Sequence, residues 1–231
     1  MRLMLLRHGQ TQSNVIGALD TAIPGAPLNA LGERQAAAVP GALASEKVDA
    51  IYASTILRAQ QTAAPLAAAR DLTVTILDGI REISAGSLEM LSDKTSQGIY
   101  TATAFAWAKG DLQVRMPGGE NGVEFFERFD AAIEGLLGAG HASVVAVSHG
   151  AAIRTWVAAR CSNTDGAFAG SHQLDNTGYA LLEGEHVRGW RLVDWHSAPA
   201  GGPELTDADA VDPAGEALEA RQPGGVHPVV E

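Results

Sequence analysis

Two short apolar runs in this chain stop in the same way, and the repetition constrains the fold more than any other feature. Leu3-Met4-Leu5-Leu6 ends in Arg7-His8-Gly9, and Val144-Val145-Ala146-Val147 ends in Ser148-His149-Gly150. Runs this short and this apolar read as buried strands rather than helices. Strands that need not alternate polar with apolar are covered on both faces, as in a parallel sheet. Open α/β sheets gather their ligands at the carboxyl ends of the strands, so His8 and His149 are expected to face one pocket.

The segments between and around these runs support the same architecture. Asn29 caps an expected helix over 30–44, followed by a strand over 48–53. Ser54 or Thr55 then starts a helix that carries Arg58 in its first turn, and 73–77 is β-branched and alternating, hence a third strand. The order β-α-β-α-β implies an α/β fold, a three-layer α/β/α sandwich with a mostly parallel central sheet. From 80 to 119 the pattern weakens to a loop, a short helix over 96–108 and the break Pro117-Gly118-Gly119. This stretch, about 84–120, is the expected small lid over the strand ends. Asn121 or Gly122 opens an amphipathic helix with Val123, Phe126, Phe129, Ile133, Leu136 and Leu137 on one face. Strands over 177–183 and 187–195 flank Gly184-Glu185-His186 and read as an antiparallel edge hairpin. The expected organisation is a catalytic domain over 1–195 and a Pro/Gly/acidic tail over 196–231. That tail lacks a core of its own and is either mobile or laid over a neighbour.

Composition narrows the partners. The 231 residues suffice for a full core, and the net charge of -11 comes without any Lys/Arg-rich run. That argues against nucleic acid and against an anionic membrane surface. It does not argue against an anionic substrate, because charge more than ~8 Å away is screened and local arginines outweigh it. The single cysteine, Cys161, excludes an internal disulfide and fits a reducing compartment. The opening apolar run is too short for a signal-peptide core, and none approaches the ~20 residues that span a bilayer. A soluble, cytoplasmic protein is expected. The edge hairpin offers a surface for a homodimer.

Four further residues bear on chemistry. Glycine after each histidine permits close backbone approach to a ligand, and each leads toward a helix start, where free N–H groups favour an anion. The planar fork of Arg58 suits phosphate through paired charge-assisted hydrogen bonds, although a solvated surface arginine fits its position equally well. Glu82 follows the third strand on the same edge, where a carboxyl can give a proton to a leaving oxygen and later take one from water. An ion pair with Arg81 explains its spacing at least as well. With Arg7 beside it, His8 is the candidate nucleophile toward phosphorus.

Taken together the segments resemble the histidine phosphatase superfamily, the phosphoglycerate mutase-like proteins. The matching pieces are Leu6-Arg7-His8-Gly9-Gln10-Thr11 with Asn14, Pro27-Leu28-Asn29-Ala30-Leu31-Gly32 with Gln35-Ala36, and Ser54-Thr55-Ile56-Leu57-Arg58-Ala59-Gln60-Gln61-Thr62-Ala63. Arg81-Glu82-Ile83, Gly118-Gly119-Glu120 (a weak piece) and Val147-Ser148-His149-Gly150 follow in the family's order. The resemblance implies that His8 accepts the phosphoryl group as a phosphohistidine. It implies that Arg7, Arg58 and His149 clamp the equatorial oxygens, and that Glu82 is general acid and then base. Asn14 and the N–H of Gly150 would add hydrogen bonds to phosphate. No metal and no other cofactor is implied.

Departures from the family bear on the substrate. Cofactor-dependent mutases carry Glu-Arg-His-Tyr-Gly at the acid, where this chain has Glu82-Ile83-Ser84-Ala85-Gly86. The lid is short, and Lys94 and Lys109, with Arg115 beyond, are its few basic residues. A phosphatase acting on a small-molecule phosphate ester is therefore favoured over a mutase. A non-catalytic phospho-ligand binding module is disfavoured, because such a module has no need of Glu82 beside His8. Phe105, Trp107, Met90 and Leu91 either line a partly apolar pocket for an aromatic or alkyl ester or, the preferred reading, pack the lid onto the sheet.

Overall fold

The computed structural model describes residues 1–185, 189–210 and 212–216. Alternation along the first strand, β1 (Arg2–Arg7), explains why it carries no polar face. Leu3 and Leu5 enter one buried cluster, while Met4 and Leu6 enter another on the opposite side of the sheet. The remaining strands are β2 (Ala50–Ala53), β3 (Val74–Ile76), β4 (Ser143–Ser148), β5 (Tyr179–Glu185) and β6 (Gly189–His196). Across the single sheet they run β3-β2-β4-β1-β5-β6. The first four are parallel, and β5 and β6 are antiparallel at one edge. The expected α/β sheet with an edge hairpin is therefore the observed one. Of the expected turn, Gly184 and Glu185 belong to β5, and His186, with Val187 of the expected second strand, falls outside the described residues.

Seven α-helices lie among the described residues: α1 (Gln12–Ile16), α2 (Ala30–Ala42), α3 (Leu57–Arg70), α4 (Lys94–Ala108), α5 (Gly122–Gly138), α6 (Gly150–Arg160) and α7 (Phe168–Ser171). Helices α2 and α3 cover one face, where α3 presents Ala59, Ala63, Leu66 and Ala67 to Leu6, Val145 and Val147. The other four longer or later helices, α4 to α7, contribute to the larger cluster on the opposite face. On α5, Phe125, Phe126, Phe129 and Ile133 are buried there, each worth about 1.5–3 kcal/mol. None of these helices is long and apolar enough to cross a membrane.

Two local expectations need correction. Helix α3 begins one or two residues later than Thr55 or Ser54 would set it, with Ile56 at the N-cap and no side-chain cap. The Ser54 hydroxyl faces His149 instead. The stretch between the first strand and the helix expected from 30, to which the sequence reading gives no element, begins with a short helix, α1, closed by a reciprocal cap between Thr11 and Asn14 and by Gly17 in the left-handed region. Phe105 and Trp107 on α4 are buried within the larger cluster, and Met90 and Leu91 are exposed. The preferred packing reading thus holds for Phe105 and Trp107 and not for the exposed Met90 and Leu91, and none of the four lines the cavity beside His8.

Register brings three chain segments to one level. Arg7 lies opposite Ser148 across β1 and β4, and Ala53 lies opposite Val147 across β2 and β4. His8, Ser54 and His149 are the next residues of their strands. The backbone continues the ladder one step further: His8 N–H donates to Ser148 O at 3.0 Å and Ser54 N–H to Val147 O at 3.0 Å.

Candidate active site

His8 leaves β1 into a buried position, and two contacts define its ring. Nδ1 lies 2.7 Å from the carbonyl of Gly9, and the Nε of Arg58 donates to Nε2 at 3.0 Å. A guanidinium only donates, so Nε2 is an acceptor, and Nδ1 carries the hydrogen that it gives to Gly9. Burial first, then the charges of Arg58 and Arg7, hold the imidazole well below its usual titration range; the Gly9 bond opposes them. The ring is neutral at neutral pH, with the Nε2 lone pair on the pocket side.

Arg58 reaches this point from the first turn of α3. Its Nη2 donates to the carbonyl of Asp20 at 2.8 Å, and Nη1 stands 3.8 Å from the Asp20 carboxylate. That carboxylate is itself held by Ser13 Oγ and by the N–H of Ala26. The solvated alternative for Arg58 is thereby excluded. Arg7 is fully buried; its Nη1 donates to Leu174 O at 2.6 Å and its Nη2 pairs with Asp212, while Nε has no partner among the described residues.

His149 caps α6, its ring centroid 5.1 Å from that of His8. Nε2 meets Ser54 Oγ at 2.6 Å, and Nδ1 has no hydrogen-bond partner among the described residues. Burial, then Arg58, His8 and Arg7, depress its titration as well.

Glu82 does not pair with Arg81, which binds Asp78 instead. Its Oε1 accepts from Ile83 N–H at 2.9 Å and Ala152 N–H at 2.8 Å, and Oε2 from Ala151 N–H at 3.2 Å. The N-terminus of α6, expected to offer free N–H groups to a ligand, thus holds this carboxylate. Burial pushes the Glu82 carboxyl above its ordinary value, against the opposing pull of those N–H groups and of Arg58. A second expectation about glycine is also corrected. Gly9 approaches backbone rather than ligand: a Cβ there would sit 2.7 Å from Gly32 O, so the loop after β1 lies directly on the start of α2.

A cavity of about 30 Å³ lies among these groups, with Arg7, His8, Asn14, Arg58, Glu82 and Asp212 on its wall. His149 and Gly150 are not on that wall: His149 stands behind His8, and Gly150 lies beneath Ala214, whose carbonyl would be 2.7 Å from a Cβ. Asn14 uses its side-chain oxygen in the α1 cap and directs its amide Nδ2 to Asp212 at 3.4 Å. Of the seven residues expected at the site, five face the cavity and two support it.

Sequence reasoning missed four participants. Asp20 anchors Arg58, Ser54 orients His149, and Asp212 meets Arg7. Arg128 on α5 grips the loop that carries Glu82, donating to the carbonyls of Gly79, Arg81 and Glu82 and pairing with Glu120. Glu120 in turn accepts from Ser84 N–H. One signal for Arg128 was available: it stands three residues after Phe125 on an otherwise apolar stripe, where a charge is costly unless paired.

This fold and this set of side chains have relatives. A model of the histidine phosphatase superfamily (branch 1) matches residues 3–198, and the chain belongs to that family. The PE-PGRS family protein PE_PGRS11 of Mycobacterium tuberculosis (strain ATCC 25618 / H37Rv) is 35% identical over 223 residues, 90% of this chain. The chain spans only 38% of that protein's length. The adenosylcobalamin/alpha-ribazole phosphatase of Escherichia coli (strain K12) is 32% identical over 64% of this chain and 73% of its own. Among solved structures, a mycobacterial glucosyl-3-phosphoglycerate phosphatase complexed with VO3 superposes with a TM-score of 0.71 at 27% identity, covering 85% of this chain and 99% of that one.

Proposed function

We propose that this chain is a metal-independent phosphatase that hydrolyses a small-molecule phosphomonoester through a phosphohistidine on His8. The observation that carries the reading is the fixed tautomer of His8. With Nδ1–H tied to Gly9 O and Nε2 facing Arg58, the ring is a neutral nucleophile that needs no prior deprotonation. In the first step Nε2 attacks phosphorus in line, the P–O bond to the ester oxygen breaks, and protonated Glu82 gives that oxygen its proton. In the second, Glu82 as carboxylate takes a proton from water, the water oxygen attacks phosphorus, and the P–N bond breaks to release phosphate.

The remaining groups supply positioning and charge, which is most of what phosphoryl transfer asks of a protein. Arg7 Nε and Arg58 Nη1 lack hydrogen-bond partners among the described residues and are the donors available to phosphoryl oxygens, with Asn14 Nδ2 also on the cavity wall; His149 supports the site from beside His8. Arg58 would move its Nε–H from His8 to oxygen as the ester arrives. The fixed positive charge of two buried guanidinium groups is the reason to expect no metal requirement. Hydrolysis is preferred to mutase transfer because, among the described residues, the cavity wall holds no lysine and no arginine beyond Arg7 and Arg58 to grip a second acidic group. Both named phosphatase relatives are consistent with this choice.

The test is a phosphate-release screen over metabolite esters with and without chelator, with His8→Ala alongside. Release by the wild-type protein, undiminished by chelator and at least about 10³-fold lower in the variant, is expected. Transfer of the phosphoryl group to a second hydroxyl without free phosphate would replace the hydrolase by a mutase.

A further inference from the structure

The cavity against His8 is small for an ester: about 30 Å³ admits a water or two. What fills the remaining space is the chain itself. Residues 212–216 cross the mouth of the pocket, and beyond them lies a wider cavity of about 290 Å³. Asp212 and the segment's Gly215 and Glu216 line this outer cavity, while Asp212, Pro213 and Ala214 line the inner one. The segment is a partition between the two.

Its contacts are those of an anion. The Asp212 carboxylate pairs with Arg7 Nη2, on the guanidinium whose Nε the proposed function gives to phosphoryl oxygen, and receives Asn14 Nδ2 at 3.4 Å, a second donor of that function. The backbone is shaped for the approach. Gly215 lies so close to Arg7 that a Cβ would come within 2.3 Å of Nη1, and Ala214 lies against Gly150. Three backbone bonds, Gly215 N–H and Glu216 N–H to Asp212 O with Gly215 O accepting from Leu174 N–H, fold the segment into a turn and tie it down. Arg154 Nη1 adds a fourth bond, to Ala214 O at 2.8 Å.

We infer that residues 212–216 are an internal plug, in which the Asp212 carboxylate stands where a substrate phosphoryl group must bind, so that the ester enters only by displacing it. This inference rests on the phosphatase reading of the pocket. The physical logic is an exchange of anions on a buried cation. A buried guanidinium without a counter-charge is costly, and no other carboxylate of the described residues pairs with Arg7, so the tail carboxylate serves until a phosphate arrives. A tethered competitor acts at high effective concentration. Any partner or modification that drew the segment away would raise apparent affinity for every phosphate ester alike.

The experiment measures orthovanadate binding by calorimetry to the full chain, wild type, Asp212→Asn and Gly215→Val. The first substitution removes the competing charge; the second keeps Asp212 and evicts the turn by placing a side chain against Arg7. At least tenfold tighter vanadate binding is expected in both. Gly215→Val at wild-type affinity or weaker overturns the plug, whatever Asp212→Asn does, and a weakening in both assigns Asp212 the role of holding Arg7 in place. Those results leave the phosphatase reading intact, because wild-type binding is still observed. Absence of binding by all three chains overturns the phosphatase reading itself. A chain that fails to fold is recognised by its circular dichroism, and the other substitution then decides.

Discussion

Glu82 and His8 are neighbours whose burial moves their protons in opposite directions. Burial lifts the Glu82 carboxyl above 4.5 and holds the His8 imidazole well below 6.5, so the pair favours a proton on the acid and none on the nucleophile. Under the proposed mechanism, kcat/KM rises as pH climbs through the His8 value and falls as it climbs through that of Glu82. Glu82→Gln therefore abolishes the descending limb, and lowers the rate on alkyl esters by about 10²–10⁴-fold while sparing activated aryl esters. Steady-state profiles on both ester types check this; a descending limb that survives the substitution assigns the proton to another group. At this scale the sequence was informative where a residue adjoins a strand end: Arg7, His8, His149 and Glu82 are legible from the strand that precedes each. Asp20 and Ser54 were not, because their partners lie 38 and 95 positions away and only tertiary closure joins them.

Among the elements, α5 does more than cover the sheet. Through Arg128 it fixes the loop carbonyls of Gly79, Arg81 and Glu82, and through Glu120 the amide of Ser84. Removing Arg128 alone strands a buried carboxylate, a loss of about 3–5 kcal/mol, so the informative variant is the double substitution Arg128→Met with Glu120→Gln. Its expected effect is a fall in kcat of about 10–100-fold with vanadate affinity within a factor of three, read by steady-state kinetics and calorimetry. A matching loss of vanadate binding would place the fault in the phosphate cradle instead of the acid. The long amphipathic α5 and the short, wholly apolar run of β4 were legible from hydrophobic pattern alone. The five-residue α1 was not: its Thr11/Asn14 cap lacks the Glu or Gln that marks such a start, and the helix is too short for periodicity to register.

Across the whole molecule, two buried neutral histidines couple stability to pH. The unfolded chain takes up protons on His8 and His149 near 6.5, while the folded chain resists until well below it. Their contribution is complete above 6.5 and is lost progressively as pH falls toward the folded-state values, by about 1.4 kcal/mol per pH unit for each histidine. Urea midpoints between pH 7 and 5 should fall accordingly, and His149→Gln should flatten the slope by one proton's worth. An unchanged slope would mean that the ring is charged in the native protein. The sheet, its parallel part and the edge hairpin were legible because apolar runs, intervening helices and turn residues mark them; the order of the strands across the sheet was not. The way residues 212–216 return to the first strand was not, since nothing in a Pro/Gly/acidic stretch announces where it lands.

The shared level at which β1, β2 and β4 end has one more consequence. Neighbouring residues of a strand point to opposite faces, so sliding β1 by a single position against β4 would carry Arg7 and His8 each to the side the other had occupied. No rotamer change could undo such an inversion. The reactive geometry is thus stored in the same ladder of amide bonds that closes the sheet, and a chain that has zipped this ladder correctly has already built most of its catalyst.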